Sequence, residues 1–123
     1  ALAFDFAVTR SEIDLRTWKT RTPGWKTGEP TVPQTLETLR NVAVLAEFKI
    51  AESSSTNTAA LVTDLEKLRA AVGFMEHHGC QCFPACFLVV LDTNRVLDTQ
   101  KAINSVVPNW PKCSSFPKVL IGP

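Results

Sequence analysis

The sequence predicts an α/β protein with a central mixed β-sheet flanked by helices, in the element order βββαβαβ. Three observations predict it. Two strongly apolar runs, 41–50 and 86–91, have the length of buried strands, and a stretch of helical periodicity, 59–77, lies between them. Two strand-like segments come before these runs, and a second helix and a short strand follow them. Strands alternating with helices favour crossover connections after an antiparallel start to the sheet.

The first forty residues contain two predicted strands and a loop. Residues 2–8 are apolar, and residues 11–18 alternate polar with apolar side chains around a turn at 9–11. Prolines and glycines then interrupt regular structure over 20–33, which predicts a loop. The stretch 34–40 fits either one short helical turn or the approach to a strand, and the pattern leaves both open.

The next two elements form the predicted centre of the fold. Residues 41–50 are apolar on both faces at their start, which is typical of a central strand covered by other layers. Charge enters only at the far end of this strand. Residues 59–77 are predicted to form a helix that ends at Gly79, with its charged side chains facing elsewhere. Its apolar stripe is Leu61, Leu65, Leu68, Val72 and Met75.

Three further elements complete the chain. Residues 86–91 are too continuously apolar for a strand with one wet face. Residues 95–107 are predicted to form a helix that stops at Pro108 and Pro111. This helix is expected to bury Val96, Leu97, Ile103 and Val107. The last element, 118–121, is predicted to be a strand.

Length and composition indicate one domain over residues 1–123. Hydrophobic residues make up 45% and charged residues 20%, which is enough for a single core. Thirteen Lys and Arg against twelve Asp and Glu give a net charge of +1, so no overall field selects nucleic acid or an anionic membrane. No apolar run approaches the roughly 18 residues of a membrane span. We therefore predict a cytoplasmic protein without membrane contact; the start at Ala1 suggests that upstream sequence is missing.

Glu47 and Lys49 stand two residues apart on one face of the central strand. Burying both charges is costly, so they are either a solvated pair at the strand end or part of a site. Asp14 lies between Ile13 and Leu15 in a predicted strand. If 11–18 pairs with 41–50, Asp14 approaches Glu47, and two adjacent carboxylates favour a divalent cation bound by hard oxygen ligands. The pattern predicts a Mg²⁺ site.

Asp14, the Glu47-Phe48-Lys49 segment and the helix that follows resemble the PD-(D/E)XK nuclease superfamily, whose core is restriction-endonuclease-like. The resemblance implies that Asp14 and Glu47 bind Mg²⁺ or Mn²⁺, that the Phe48 carbonyl adds a ligand and that Lys49 assists phosphodiester hydrolysis. It also implies DNA as the substrate and a possible homodimer. The helix that usually precedes the hairpin in this family would lie before Ala1 or be lacking. Asp5 is the second choice for the first acid, because its strand lies one element further from Glu47.

A basic, aromatic segment lies between the two predicted acids. Four cations and two indoles occur there without an acid, a composition that suits phosphate contacts and base stacking. The predicted nucleic-acid-binding residues are Arg16, Trp18, Lys19, Arg21, Trp25 and Lys26. The alternative is a solvated turn whose tryptophans cover the sheet edge.

A cluster of His and Cys gives a further alternative. His77, His78, Cys80, Cys82 and Cys86 are zinc-type ligands, although a Cys-x-Cys spacing is tighter than in usual zinc knuckles, and Cys113 is distant. Reduced thiols that pack as small hydrophobic groups are the other interpretation. Two alternatives to a nuclease therefore stay open: an inactive nucleic-acid-binding or interaction module on the same scaffold, and a small zinc-stabilised regulatory domain.

Overall fold

The computed structural model describes residues 4–10, 32–51, 58–93, 95 and 97–122. Within these ranges, four strands and three helices alternate as βαβαβαβ. Their bounds are β1 Phe6–Thr9, α1 Val32–Arg40, β2 Val42–Ile50, α2 Thr58–His77, β3 Ala85–Leu91, α3 Thr99–Val106 and β4 Lys118–Gly122, with a single 3₁₀ turn at Val107–Asn109. The predicted α/β class and the mixed sheet are confirmed.

The four strands form one open sheet in the order β1-β2-β3-β4. β1 runs antiparallel to β2, with Phe6 opposite Ala46, whereas β2, β3 and β4 are mutually parallel. The mixed sheet is confirmed by one antiparallel and two parallel pairings, whereas the predicted element order βββαβαβ is not. The antiparallel neighbour of β2 in the structure is β1; the predicted strand 11–18 lies outside the described residues.

Helix α2 buries its predicted stripe completely. Leu61, Leu65, Leu68 and Val72 have no exposed surface, and Met75 is 1% exposed. The helix ends as predicted at Gly79, which adopts a φ of 78°. The Cys80 N–H donates to the Met75 carbonyl and the Gly79 N–H to the Glu76 carbonyl, the two bonds of a Schellman cap. Gly79 therefore fixes the direction in which the chain leaves α2.

Helices α1 and α3 differ from the sequence-based expectation at their beginnings. α1 includes Val32 and Pro33, which were assigned to the predicted loop. A proline is tolerated in the first turn of a helix, where its missing N–H has no intrahelical partner. α3 begins at Thr99 rather than 95, because the Asp98 carboxylate caps the Lys101 N–H and Arg95 has a φ of 52°, outside the helical region.

The residues that α3 buries also differ from those predicted. They are Thr99, Ala102 and Val106. Ile103 is half-buried, and Val107 belongs to the following turn and is exposed. α3 begins four residues later than predicted. Its buried face is therefore that of the helix starting after the Asp98 cap and not that of the longer predicted segment.

The two faces of the sheet have different surroundings. Core residues of all three helices pack against one face, which Leu45 of β2 and Leu88 and Val90 of β3 provide. On the opposite face of β2, Val42 and Ala46 are buried, as predicted for a covered strand, whereas Phe48 and Ile50 near its end are exposed. Large apolar side chains exposed on it are Phe6, Val8, Phe48, Ile50, Leu91 and Leu120.

Among the described residues, no helix combines the length and the apolar character needed to cross a bilayer.

Candidate active site

β2 directs Glu47 and Lys49 toward the helical layer. Glu47 lies beside Leu88 and Lys49 beside Val90 in the parallel register with β3. Both neighbours belong to the buried face, and Glu47 itself is only 1% exposed. The alternative of a solvated pair at the strand end is therefore wrong for Glu47. A carboxyl group in such surroundings needs a compensating charge or hydrogen bond.

α2 supplies the compensating charges. Lys67 Nζ lies 2.8 Å from Glu47 Oε1, and Lys49 Nζ lies 3.2 Å from Asp64 Oδ2. Because α2 runs antiparallel to β2, the pairs are crossed: Asp64, the earlier helix residue, meets Lys49, the later strand residue. Lys67 correspondingly meets Glu47. Three residues of helix rise about 4.5 Å and two of strand about 6.6 Å, which lets both pairs form.

Each of the two ion pairs involves one buried carboxylate oxygen. Glu47 Oε1 and Asp64 Oδ2 are buried, and one lysine ammonium lies within ion-pair distance of each. An ammonium turns freely about its last bond, so the separation rather than the angle determines the attraction. A carboxylate oxygen has two lone pairs, so each of these oxygens can accept a further hydrogen bond besides its contact with the ammonium.

Asp5 brings a second carboxyl group to Glu47. Its Oδ2 accepts a hydrogen bond of 3.0 Å from the Phe48 N–H, and its carboxyl is close enough to Glu47 to raise the pKa of that group. Asp5 comes immediately before β1, at the point where β2 continues past its antiparallel neighbour. Because the N–H and C=O of one strand residue point to the same edge, the Phe48 carbonyl also faces the side on which Asp5 lies.

The two acids respond to their surroundings in opposite ways. Burial raises the pKa of Glu47 to about 7, with Asp5 raising it and Lys67 opposing the rise. The hydrogen bond from the Phe48 N–H, followed by that with Glu47, lowers the pKa of Asp5. The pKa of Lys67 is raised chiefly by Glu47. The surroundings therefore make Glu47 the weaker acid of the pair and Asp5 the stronger one.

The oxygen groups at this site are of the type that hard divalent cations bind in proteins. Asp5, Glu47 and the Phe48 carbonyl offer oxygen atoms on one side of β2, and Glu47 Oε1 is buried beside the Lys67 ammonium. Three acids face two lysines at this site, which leaves a net negative charge when all are ionised. In the described part of the chain, no group of three or more His, Cys, Asp or Glu side chains is arranged to hold a metal.

The sequence-predicted site residues are only partly placed. Glu47, Phe48 and Lys49 lie together at the end of β2 as predicted. Asp14 and the basic segment with Arg16, Trp18, Lys19, Arg21, Trp25 and Lys26 lie outside the described residues. Beside Glu47, the structure places Asp5, the second choice of the sequence analysis.

Sequence reasoning missed Asp64 and Lys67, which were predicted to face away from the apolar stripe. Asp64 is only 6% exposed. It falls three residues after Leu61 and four before Leu68, which is a stripe position. A charge at a stripe position, in a helix directly after a strand with two charges on one face, is the signal that could have identified it.

None of the four cysteines forms a disulfide bond. Cys80, Cys82, Cys86 and Cys113 are all free. Burial raises the pKa of Cys86 to about 12, as expected for a thiol that packs as a small hydrophobic group. The Cys113 thiol donates to the Glu76 carboxylate over 2.6 Å. These contacts give the zinc alternative no support.

The chain was also compared with known proteins. No family model, curated protein or solved structure matches it.

Proposed function

We propose that the protein hydrolyses phosphodiester bonds in nucleic acid, with DNA as the substrate and Mg²⁺ or Mn²⁺ as cofactor, at a PD-(D/E)XK-type site. One observation carries the proposal: the buried Glu47 carboxyl lies against the Asp5 carboxyl, with Lys49 one strand repeat further along. Two carboxyl groups and an amine are costly to gather for stability alone. They match the requirements of hydrolysis assisted by a divalent cation.

Each side chain has a role in this proposal. Asp5, Glu47 and the Phe48 carbonyl would hold the cation, which supplies charge neutralisation at the phosphate and a more acidic bound water. The Lys49 ammonium would orient the attacking water or oppose the negative charge that develops on phosphorus. Asp64 acts through Lys49, since its carboxylate at 3.2 Å fixes where the ammonium points.

The site and the composition of the basic segment both support an anionic polymer as the proposed substrate. A cation held by acids favours an anionic ester, and the predicted segment around Lys19 and Arg21 supplies cations and indoles for a polynucleotide. A homodimer remains an expectation that follows from the family resemblance.

The test is cleavage of supercoiled plasmid and of labelled oligonucleotides with Mg²⁺, with Mn²⁺ and with a chelator. Cutting should need the metal and fall by about 100-fold or more in Glu47→Gln and Lys49→Met. The matched control is Glu66→Gln, the same change at a half-exposed acid of α2 that pairs with Arg69; it should cut like the parent. Metal-dependent cutting that survives Glu47→Gln would contradict the proposal.

A second candidate is a nucleic-acid-binding module without turnover on the same scaffold. It is favoured by the crossed ion pairs, because Glu47 and Lys49 each already have an opposite charge on α2. Metal-independent binding of oligonucleotides without cleavage in any of the metal conditions would select this candidate.

A further inference from the structure

Lys67 places a positive charge beside the two acids Asp5 and Glu47. Its Nζ is 2.8 Å from Glu47 Oε1, and Asp5 also attracts it. The ring of Phe4, the residue before Asp5, has its centroid 5.9 Å from the same nitrogen, within range of a cation–π contact. The ammonium therefore interacts with both acids and with the segment that carries Asp5.

The Lys67 side chain is also exposed enough to move from this position into solvent. Its side chain is 32% exposed, whereas that of Glu47 is 1% exposed. A lysine ammonium ends a flexible four-carbon stem and is readily hydrated. It can therefore swing into water without a movement of α2, while Glu47 stays within the core face of β2.

We infer that Lys67 is a resident counter-cation that a divalent ion must displace from Glu47, so that ion binding and the Lys67–Glu47 ion pair oppose each other. The inference rests on the proposed function, because it requires Asp5 and Glu47 to bind the ion. Two cations at one carboxylate repel each other, and the coupling between them is reciprocal. The lysine thus compensates the buried acid in the ion-free protein and weakens ion binding.

The first test measures Mn²⁺ binding to the full chain by calorimetry at pH 8. Lys67→Met keeps the length of the side chain and removes its charge, so it should bind Mn²⁺ about tenfold more tightly than the parent. The control is Arg69→Met on the same helix, whose guanidinium pairs with Glu66; its affinity should match the parent. Equal or weaker binding by Lys67→Met overturns the inference while leaving the proposed function intact. Absence of Mn²⁺ binding by all three proteins overturns both.

The second test uses the unsubstituted protein and so does not depend on how Lys67→Met folds. Lysines are acetylated briefly with and without saturating Mn²⁺, and the modified peptides are quantified by mass spectrometry. Acetylation of Lys67 should rise several-fold with Mn²⁺, because the displaced ammonium loses its carboxylate partner. Lys101, exposed on α3, should not change. Unchanged or reduced acetylation of Lys67 in the Mn²⁺-bound protein would overturn the inference.

Discussion

Lys49 and Asp64 form an ion pair of 3.2 Å between the end of β2 and the first half of α2. The Asp64 side chain is 9% exposed and that of Lys49 is 25% exposed, so water screens the pair only in part. The contact joins the strand that carries Glu47 to the helix that carries Lys67. It therefore contributes to the position of the helix over the site as well as to the position of the Lys49 ammonium.

A double-mutant cycle on this pair should show coupling. Asp64→Asn leaves the Lys49 ammonium without its carboxylate and should lower the free energy of unfolding by about 1–2 kcal/mol. The double variant Asp64→Asn with Lys49→Met should lose less stability than the two single variants lose together. The difference, the coupling energy, should be about 1 kcal/mol. Urea denaturation of the four proteins measures this, and strictly additive effects would show that the contact does not stabilise the fold.

The stability of the metal-free protein should fall as the pH rises from about 4.5 to 7. Glu47 loses its proton near 4.5 when unfolded and near 7 when folded, so the folded state binds more protons in this window. The loss should be on the order of 1–3 kcal/mol. The lowered pKa of Asp5 acts in the opposite direction, since its stabilisation is present above its ordinary 3.8 and is lost as the pH falls below that value.

The matched variant for this pH dependence is Glu47→Gln, which has no proton to lose. Urea denaturation at several pH values should give a smaller fall for Glu47→Gln than for the parent between pH 4.5 and 7. Parallel pH profiles for the two proteins would show that Glu47 does not titrate in this window.

Asp5 and Asp14 can be compared directly as the second acid. Because Asp5 lies against Glu47 in the structure, Asp5→Asn should lower metal-dependent cleavage by about 100-fold or more and weaken Mn²⁺ binding. Asp14→Asn is the corresponding change at the acid that the sequence analysis preferred. Loss of cleavage in Asp14→Asn with retention in Asp5→Asn would restore the sequence-based choice.

The basic segment predicts a salt-dependent contribution to nucleic-acid binding. Replacing Lys19, Arg21 and Lys26 together by glutamine should weaken binding and reduce the slope of log affinity against log salt by about 2–3, since each lost phosphate contact accounts for nearly one. Fluorescence anisotropy with a labelled duplex at several salt concentrations measures the slope. An unchanged slope would exclude these residues from the interface.

Alanine substitutions at two glycines, Gly79 and Gly73, test the geometry at the end of α2. Gly79 has a φ of 78° at the end of α2, so Gly79→Ala should lower the free energy of unfolding by about 1–2 kcal/mol. Gly73 lies inside the helix, and an added Cβ would meet Pro111 Cγ at 4.0 Å, an ordinary contact. Gly73→Ala should therefore stabilise the protein by about 0.5–1 kcal/mol. Thermal denaturation would distinguish the two, and equal effects would contradict the cap geometry.

Local patterns predicted the central strand and the long helix because each pattern repeats often enough to be unambiguous. The stripe from Leu61 to Met75 has one solution in a helix, and the period of two places Glu47 and Lys49 on one face of β2. Both follow from backbone geometry alone, so no knowledge of tertiary contacts was required.

Long-range choices could not be made from the same patterns. Residues 2–8 and 11–18 both read as strands, and pairing with β2 depends on contacts more than thirty residues away, so Asp5 ranked below Asp14. The rotation of α2 about its axis decides whether Lys67 meets solvent or Glu47, and that rotation is set by packing against the sheet. The amphipathic pattern identifies the apolar face of the helix. It does not identify the contacts of residues at the border of that face, such as Lys67.

β1 is a four-residue strand at the margin of the sheet, and the acid beside Glu47 comes immediately before it. Short marginal strands open more readily than central ones, with no need for the whole domain to unfold. Local detachment of β1 would separate the two carboxyls while Glu47, Lys49, Asp64 and Lys67 kept their contacts. Assembly of the acid pair is thus governed by the docking equilibrium of one small strand, which amide hydrogen exchange at Phe48 would report directly.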